Sequence, residues 1–236
     1  MKPLSRRSFV GHAAAGVAAL AAPALAAGEG SLLFKPGDWH MASFQHLLHQ
    51  DYEAKQIFDA TAIDGGNALG HMVNALNGLQ FGFGIPASSI KLVGAFRGQA
   101  SMLNFDDYLW EKYRIGERAK VNDPKTGKPA TRNLYAASDA GDPPKYASSD
   151  PENEASAFHD SSMQALRARG VQFLACHIAM YYIAKDTVKK QKLQQSPEEV
   201  LQEFTAHLLP GVLIVPSMVS AIPMLQSKGN FTYLRV

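Results

Sequence analysis

Five short apolar segments are spaced along the chain, and sequence with helical periodicity lies between them. The segments cover residues 55–63, 90–97, 171–175, 212–215 and 231–236. Their Val, Ile, Leu and Phe residues are typical of strands that are covered on both faces of a parallel sheet. Parallel strands need crossover helices, which pack on the faces of the sheet. The chain is therefore predicted to form an α/β fold, a mostly parallel sheet of about five strands with helices on both faces, in a flavodoxin-like layering.

The helices are predicted from apolar residues that recur three or four positions apart. This spacing indicates helices over 41–50, 68–81, 101–114, 154–169, 178–189 and 197–208. A last helix is expected from Ser217, with an interruption between residues 220 and 223. Ser196, followed by Pro197 and two glutamates, is a typical helix start.

The N-terminal segment 1–26 is interpreted as an export signal. A basic start precedes an Ala-rich run from Ala13 to Ala26, and Ser5-Arg6-Arg7-Ser8-Phe9 matches the twin-arginine pattern. The alternative is an ordinary secretory signal in which two arginines fall together by chance. The apolar run is short and poor in large side chains, so no membrane anchor is expected after the signal is removed. The predicted location is the periplasm.

The chain is nearly neutral once this signal is removed. The full sequence has 23 Lys and Arg residues and 21 Asp and Glu residues. Without Lys2, Arg6 and Arg7, 20 basic residues remain against the 21 acidic ones. A near-neutral protein has no general attraction for phosphate backbones, so no nucleic-acid partner is expected. Asp64-Gly65-Gly66 precedes a helix but lacks the rest of a phosphate-binding motif, and no cofactor is predicted.

Length and composition fit one domain with additions. The 236 residues are 46% hydrophobic, which is enough to bury one core. We predict an N-terminal extension over 27–54 and an α/β domain over 55–236, with a long insertion at 115–153. Five prolines and several glycines distinguish the insertion from the rest of the domain. Long irregular segments are usually functional or disordered, so the insertion is interpreted as a lid or an interface arm.

Cys176 is the only cysteine of the chain. It can form no internal disulfide bond and no cysteine-rich zinc site. The predicted strand 171–175 and the helix from Ile178 place it at a turn on the carboxyl edge of the sheet, where open α/β folds usually bind ligands. Amides at a helix N-terminus stabilise an anion, and the anion of cysteine is the reactive thiolate. A buried and inert thiol is the alternative.

Three further residues are candidate binding residues near this thiol. His177 follows the cysteine, Arg97 ends the second predicted strand, and His71 lies in the first turns of a predicted helix. An arginine at this edge could meet an anionic group or the thiolate, and a surface salt bridge is the alternative. For His71, a structural role is an equally good interpretation.

Three histidines near the N-terminus are not predicted to bind metal. His46 and His49 are three positions apart and share a helical face, and His40 precedes them. No Asp-, Glu- or Cys-rich motif lies beside them, so they are interpreted as surface residues. No metal site is predicted.

Three segments resemble the DsrE/DsrF-like family. They are residues 170–176 around the cysteine, residues 209–217 with the last buried strand, and the closing residues 225–234. The resemblance extends over roughly residues 55–114 and 155–236. It implies a small α/β fold that forms homo- or hetero-oligomers. It also implies that a cysteine after the third strand carries sulfur as a persulfide in some members, and Cys176 is the matching position.

Two functions of different classes are therefore considered. In the first, the chain is a periplasmic sulfur carrier that holds a persulfide on Cys176 and exchanges it with a sulfur donor or acceptor protein. In the second, it is a non-catalytic oligomeric binding or assembly module in which Cys176 is structural. A homo-oligomer is expected in both. A metal or redox-cofactor binder using histidines fits the export route but lacks a ligand motif.

Overall fold

The computed structural model of the chain describes residues 39–236. The predicted signal 1–26 and the first part of the predicted extension lie outside these residues. The strands are β1 (Ala54–Ala60), β2 (Ile90–Phe96), β3 (Gln172–Cys176), β4 (Leu213–Val215) and β5 (Thr232–Arg235). They form one sheet in the order β4-β3-β2-β1-β5, and every neighbouring pair is parallel. The predicted five-stranded α/β sheet is confirmed.

Eight α-helices occur within residues 39–236. They are α1 (Met41–His49), α2 (Asn67–Asn77), α3 (Asp107–Lys112), α4 (Ile115–Ala119), α5 (Met163–Ala168), α6 (His177–Gln191), α7 (Pro197–Ala206) and α8 (Met218–Ser227). None of these helices combines the length and apolar character that a membrane span needs. A π-helical turn, Gly78–Gly82, continues α2.

The helices cover both faces of the sheet. Helices α1 and α8 contribute Leu48 and Met218 to the core on one face. The core on the opposite face receives Met72 from α2 and Phe204 from α7, together with side chains of α3, α5 and α6. Because side chains alternate along a strand, Phe173 of β3 belongs to the second core and the last residue of the strand belongs to the first.

The winding of the chain determines which residues meet at the edge of the sheet. From β1 to β4 the chain moves across the sheet in one direction, and the connection through α8 returns it to place β5 beside β1. Because all five strands are parallel, their carboxyl ends lie at the same edge. The residues that follow Phe96, Ala175 and Val215 are therefore neighbours there, since β2, β3 and β4 are adjacent.

The predicted helix 101–114 is divided in two. Gly98–Asn104 is a 3-10 helix, and α3 begins only at Asp107. Between them, Phe105 forms an isolated antiparallel bridge with Leu208. Asp106 caps α3, and its Oδ1 accepts a hydrogen bond from the N–H of Leu109 at 3.1 Å. The bridge and the cap hold this junction in extended backbone and so interrupt the helix.

The predicted helix 154–169 is also shorter in the structure, where only Met163–Ala168 is helical. Asp160 accepts a hydrogen bond from the N–H of Ser162 at 2.8 Å, and Ser162 in turn caps the helix by accepting from Ala165 at 3.1 Å. Such local side-chain bonds compete with helix formation. The interruption expected between 220 and 223 is absent, because α8 runs through Pro223.

The predicted insertion 115–153 contains α4 and a turn-rich remainder that packs on the domain. A Cβ atom at Gly116 would lie 2.1 Å from the carbonyl oxygen of Ala130, so only glycine permits this approach. Asn133 is buried and donates from Nδ2 to the carbonyl oxygens of Leu103 and Phe105, at 2.8 and 2.7 Å. These contacts anchor the insertion beside α3.

The described part of the predicted extension belongs to the same core. In α1, Phe44 and Leu47 are buried. The N–H of His40 donates to the carbonyl oxygen of Ile214 at 3.0 Å, and its Nδ1 accepts from the N–H of Ile214 at 3.2 Å. Residues 39–49 are therefore attached to the outer side of β4.

Candidate functional site

Cys176 is the last residue of β3 and the N-cap of α6. Its Sγ accepts two backbone hydrogen bonds, from the N–H of Ala179 at 3.4 Å and from the N–H of Met218 at 3.3 Å. One donor lies in the first turn of α6 and the other opens α8. Two N–H groups and two helix N-termini therefore converge on one sulfur atom, an arrangement that stabilises a thiolate. The residue is only 5% exposed.

Arg97 follows β2 and is held by a buried carboxylate. Its Nε and Nη2 donate to Oδ1 and Oδ2 of Asp59 at 2.8 and 2.9 Å. Tyr233 adds a third hydrogen bond by donating from its hydroxyl to Oδ2 at 2.8 Å. The hydrogen bond to Asp59, opposed by desolvation, raises the pKa of Arg97, and the nearby Tyr233 and Cys176 act in the same direction. Asp59 is 1% exposed, so this ion pair fixes the guanidinium at the carboxyl edge.

A cavity of about 410 Å³ brings Arg97 and Cys176 together. It lies at the carboxyl ends of β2, β3 and β4. Its polar wall residues besides Arg97 and Cys176 are Gln99, Arg118 and Ser217. The rest of the wall is mainly apolar and comes from α6 and the start of α8, with Ile178, Ala179, Tyr182, Ile183, Met218 and Val219. The cavity therefore brings together a cysteine, two arginines and a mainly apolar surface.

Arg118 of α4 is a second arginine in the wall of this cavity. Its Nη2 pairs with Asp186 at 2.8 Å, and its Nη1 donates to the hydroxyl of Thr187 at 3.0 Å. Desolvation by burial lowers the pKa of Arg118, and Asp186 opposes that effect. Its contacts tie the start of the insertion to α6, which makes Arg118 mainly a structural part of the wall.

Of the four residues selected from the sequence, the structure brings two together at the cavity. Cys176 and Arg97 both line it, whereas His177 and His71 do not. His177 is the first residue of α6 and is buried, and His71 lies on the exposed side of α2, which follows β1. Strand β2 separates β1 from β3, so the helix that carries His71 begins two strands away from the cysteine.

The N-terminal histidines have local partners. Nε2 of His46 contacts Nε2 of Gln50 at 2.9 Å, and Nδ1 of His49 contacts the carbonyl oxygen of Gln45 at 2.7 Å. Both histidines are exposed on α1. Within residues 39–236, no group of three or more His, Cys, Asp or Glu side chains is placed to hold a metal ion.

A second cavity, of about 360 Å³, lies near the amino ends of β3 and β4. Its wall contains Asp106, Asp107 and Asp142 together with Arg167. Each carboxylate already accepts a hydrogen bond from a neighbouring group. The cavity contains no cysteine and is at the edge of the sheet opposite to Cys176.

Three residues of the site are not among those that the sequence predicts. Asp59 has a detectable signal, because a carboxylate near the end of an otherwise apolar strand must be paired when it is buried. Tyr233 and Arg118 have no comparable signal, since they approach the site through the pairing of β5 with β1 and through the docking of α4.

Comparisons of the chain with protein-family models, with curated proteins and with solved structures give no match. The chemistry of the site therefore has to be argued from its own residues. A cysteine sulfur is a nucleophile in its thiolate form, and a nearby guanidinium can hold an anionic reactant or leaving group. The arrangement suits nucleophilic attack by sulfur on an electron-poor atom of a bound molecule.

Proposed function

We propose that this protein is a sulfur carrier that binds sulfane sulfur as a persulfide on Cys176. The observation that carries the proposal is the environment of Sγ, which accepts hydrogen bonds from two backbone amides and lies in the wall of a cavity that also contains Arg97. A cysteine with a purely structural role needs neither a cavity nor a cation. The resemblance to the DsrE/DsrF-like family supports the same chemistry at the same residue.

The loading step is a thiol exchange. The Cys176 thiolate attacks a terminal sulfur of a polysulfide, a new S–S bond forms at Sγ, and the adjacent S–S bond of the donor breaks. The shortened polysulfide leaves with the electron pair. No oxidant or reductant is consumed, because one S–S bond replaces another. An acceptor thiolate removes the sulfur by the same kind of step.

Location and partners are part of this proposal. The twin-arginine pattern in residues 1–26 supports export to the periplasm. A carrier requires a donor and an acceptor, and at least one of them is proposed to be a protein. Self-association into a homo-oligomer is proposed on the family resemblance alone.

The second candidate function is a binding or assembly module with a structural thiol. The low exposure of Cys176 favours it, as does its membership in the core formed with α1 and α8. Buried cysteines commonly act as small apolar residues. In this alternative, the N–H groups of Ala179 and Met218 donate to Sγ as they would to an oxygen acceptor, and the thiol is chemically inert.

Intact mass spectrometry after incubation with inorganic polysulfide distinguishes the two functions. Cys176 is the only cysteine, so added sulfur atoms are assigned without further mapping. We expect whole sulfur atoms on the wild-type chain, none on Cys176→Ser, and release of the added sulfur by dithiothreitol. An unmodified wild-type chain that reacts with a thiol reagent only after unfolding would establish the structural alternative.

A further inference from the structure

The size of the Cys176 cavity exceeds what an inorganic sulfur donor needs. Its volume of about 410 Å³ lies in the range of about 300–1,000 Å³ that is usual for sites of organic ligands. A polysulfide ion of three or four sulfur atoms, each close in size to a water molecule with its share of about 30 Å³ of the liquid, would fill only about a third of it. A site for such an ion alone would leave most of this cavity unused.

Two of the exposed side chains in the cavity wall are apolar or aromatic, and the third is Gln99. Val219 is 68% exposed and Tyr182 is 54% exposed, and both belong to the cavity wall. Deeper in the wall, Ile183 and Met218 are buried. No Asp or Glu of residues 39–236 lines the cavity. Gln99, Arg118 and Ser217 add polar groups to the wall, and the side chains of α6 and α8 offer a mainly apolar surface to the body of a ligand.

Arg97 retains hydrogen-bond donors for a ligand. Its Nε and Nη2 serve Asp59, but within residues 39–236 its Nη1 donates no hydrogen bond. The side chain of Arg97 is 31% exposed. A guanidinium that is fixed by a carboxylate on one side and open on the other can donate hydrogen bonds to an anionic group.

From these features we infer that the cavity binds a small organic anion, with its anionic group on Arg97 and its apolar body against α6 and α8. If the protein carries sulfur as proposed above, the sulfur donor is an organic persulfide with a carboxylate or similar anionic group. In the reaction, Cys176 thiolate attacks the outer sulfur of R–S–SH. A bond forms between Sγ and that sulfur, the S–S bond of the donor breaks, and R–S⁻ leaves with the electron pair.

Binding is tested without sulfur chemistry on the Cys176→Ala chain. Phenylbutyrate serves as the anionic probe and phenylbutyramide as its neutral counterpart, and dissociation constants are measured by isothermal titration calorimetry. We expect the amide to bind about tenfold more weakly, as for the loss of one charge-assisted hydrogen bond. Equal affinities for the two probes, or no binding of phenylbutyrate, would overturn the inference.

Position 219 provides a surface variant with a matched control. Because Val219 is exposed, its replacement should leave the fold intact. In the Cys176→Ala chain, Val219→Asp places a negative charge at the mouth and should weaken phenylbutyrate binding at least about threefold relative to Val219→Asn. Equal affinities in the two variants would show that the anion binds elsewhere.

Sulfur uptake by the wild-type chain separates this inference from the proposed function. The persulfide of mercaptohexanoic acid should load Cys176 with a second-order rate constant about tenfold above that of the persulfide of its amide. If both donors load Cys176 equally, the carrier function stands and the anion site is wrong. If phenylbutyrate binds but no donor transfers sulfur to Cys176, the anion site is supported and the carrier function is wrong.

Discussion

Asp59 and Arg97 are joined by two parallel hydrogen bonds of 2.8 and 2.9 Å, although 38 positions separate them in the chain. Asp59 is on β1 and Arg97 follows β2, and the parallel pairing of these strands places both at the carboxyl edge. The buried carboxylate of Asp59 thus fixes the partly exposed guanidinium of Arg97. The chemistry proposed for Cys176 therefore depends on a residue that does not line the cavity.

Arg97→Met should destabilise the fold more than Asp59→Asn. The first change leaves a carboxylate that is 1% exposed without its cation, and breaking a buried pair in this way costs about 3–5 kcal/mol. The second leaves a partly exposed guanidinium that water can solvate, for which we expect about 1 kcal/mol. Urea unfolding of both variants and of the double variant measures the difference.

The double variant should lose less stability than the two single losses combined, because the charges are removed together. Arg132→Met serves as the control, since Arg132 is exposed, and should lie within about 0.5 kcal/mol of the wild type. A larger loss for Asp59→Asn than for Arg97→Met would contradict the assignment of the carboxylate as the buried, dependent partner.

Met218→Pro tests whether the amide on Sγ supports the thiolate. Met218 is the first residue of α8, and the preceding Ser217 is extended, so the backbone angles suit proline. The proline Cδ takes the place of the hydrogen that Met218 donates to Sγ at an N–S distance of 3.3 Å, so the variant also displaces the sulfur. The change removes the N–H that donates to Cys176 but also the buried side chain, and Met218→Ala removes only the side chain. We expect alkylation by iodoacetamide at neutral pH to be about threefold slower in the proline variant than in the alanine variant.

The expected factor is modest because a less stabilised thiolate is also a better nucleophile. The comparison is made at equal fractions of folded protein, measured by circular dichroism. Identical alkylation rates in the two variants would mean that the Met218 amide does not influence the thiol, and would favour the structural role of Cys176.

The fold could be predicted because its signals are local, whereas the site depends on contacts that are not. Apolar runs located all five strands, and parallel topology then placed Arg97 and Cys176 at one edge. The support of Arg97 by Tyr233 requires the register of β5 beside β1, and nothing in the closing segment indicates which strand it joins. Arg118 reaches the cavity only through the docking of α4.

The predicted helix boundaries failed where side chains compete for the backbone. Apolar spacing predicted one helix over 154–169, but Asp160 and Ser162 bond to nearby N–H groups and delay the helix to Met163. The alternative bond is visible only once the turn has formed. Likewise, the cap at Asp106 divides a segment whose apolar spacing alone is continuous.

Asn133→Ala should release the insertion from the domain. The buried amide of Asn133 satisfies the carbonyl oxygens of Leu103 and Phe105, which would be left without this donor. Unsatisfied buried groups cost about 1–3 kcal/mol each, so a loss of about 3 kcal/mol is expected. Urea unfolding measures the loss, and limited proteolysis should show faster cleavage within 120–160 than in the wild type.

Asn122→Ala is the comparison variant, because Asn122 lies in the same insertion and donates no side-chain hydrogen bond within residues 39–236. It should change stability by less than about 0.5 kcal/mol. Equal proteolysis of the two variants would show that Asn133 does not anchor the insertion.

Because of Glu203, the free energy of unfolding should decrease as the pH becomes acidic. Burial raises the pKa of its carboxyl group, but hydrogen bonds from Lys112, Tyr113 and Tyr108 outweigh that effect and hold the pKa at about 2, against an ordinary value of 4.5. The bonds from the two tyrosine hydroxyls measure 2.6 and 2.7 Å. A depressed pKa stabilises the fold above the unfolded value of 4.5, and this stability is lost as the pH falls toward about 2.

The matching change at alkaline pH comes from Tyr113. Desolvation and its hydrogen bond to Glu203 raise the pKa of Tyr113 to about 12, so the stability it contributes is complete below pH 10 and falls as the pH rises through about 12.

Glu203→Gln should be less stable than the wild type at pH 6, with the difference shrinking toward pH 2. Exposed Glu117 supplies the control Glu117→Gln, and a difference for Glu203→Gln that stays constant from pH 6 to pH 2 would show that the ionised carboxylate is not what the three donors stabilise.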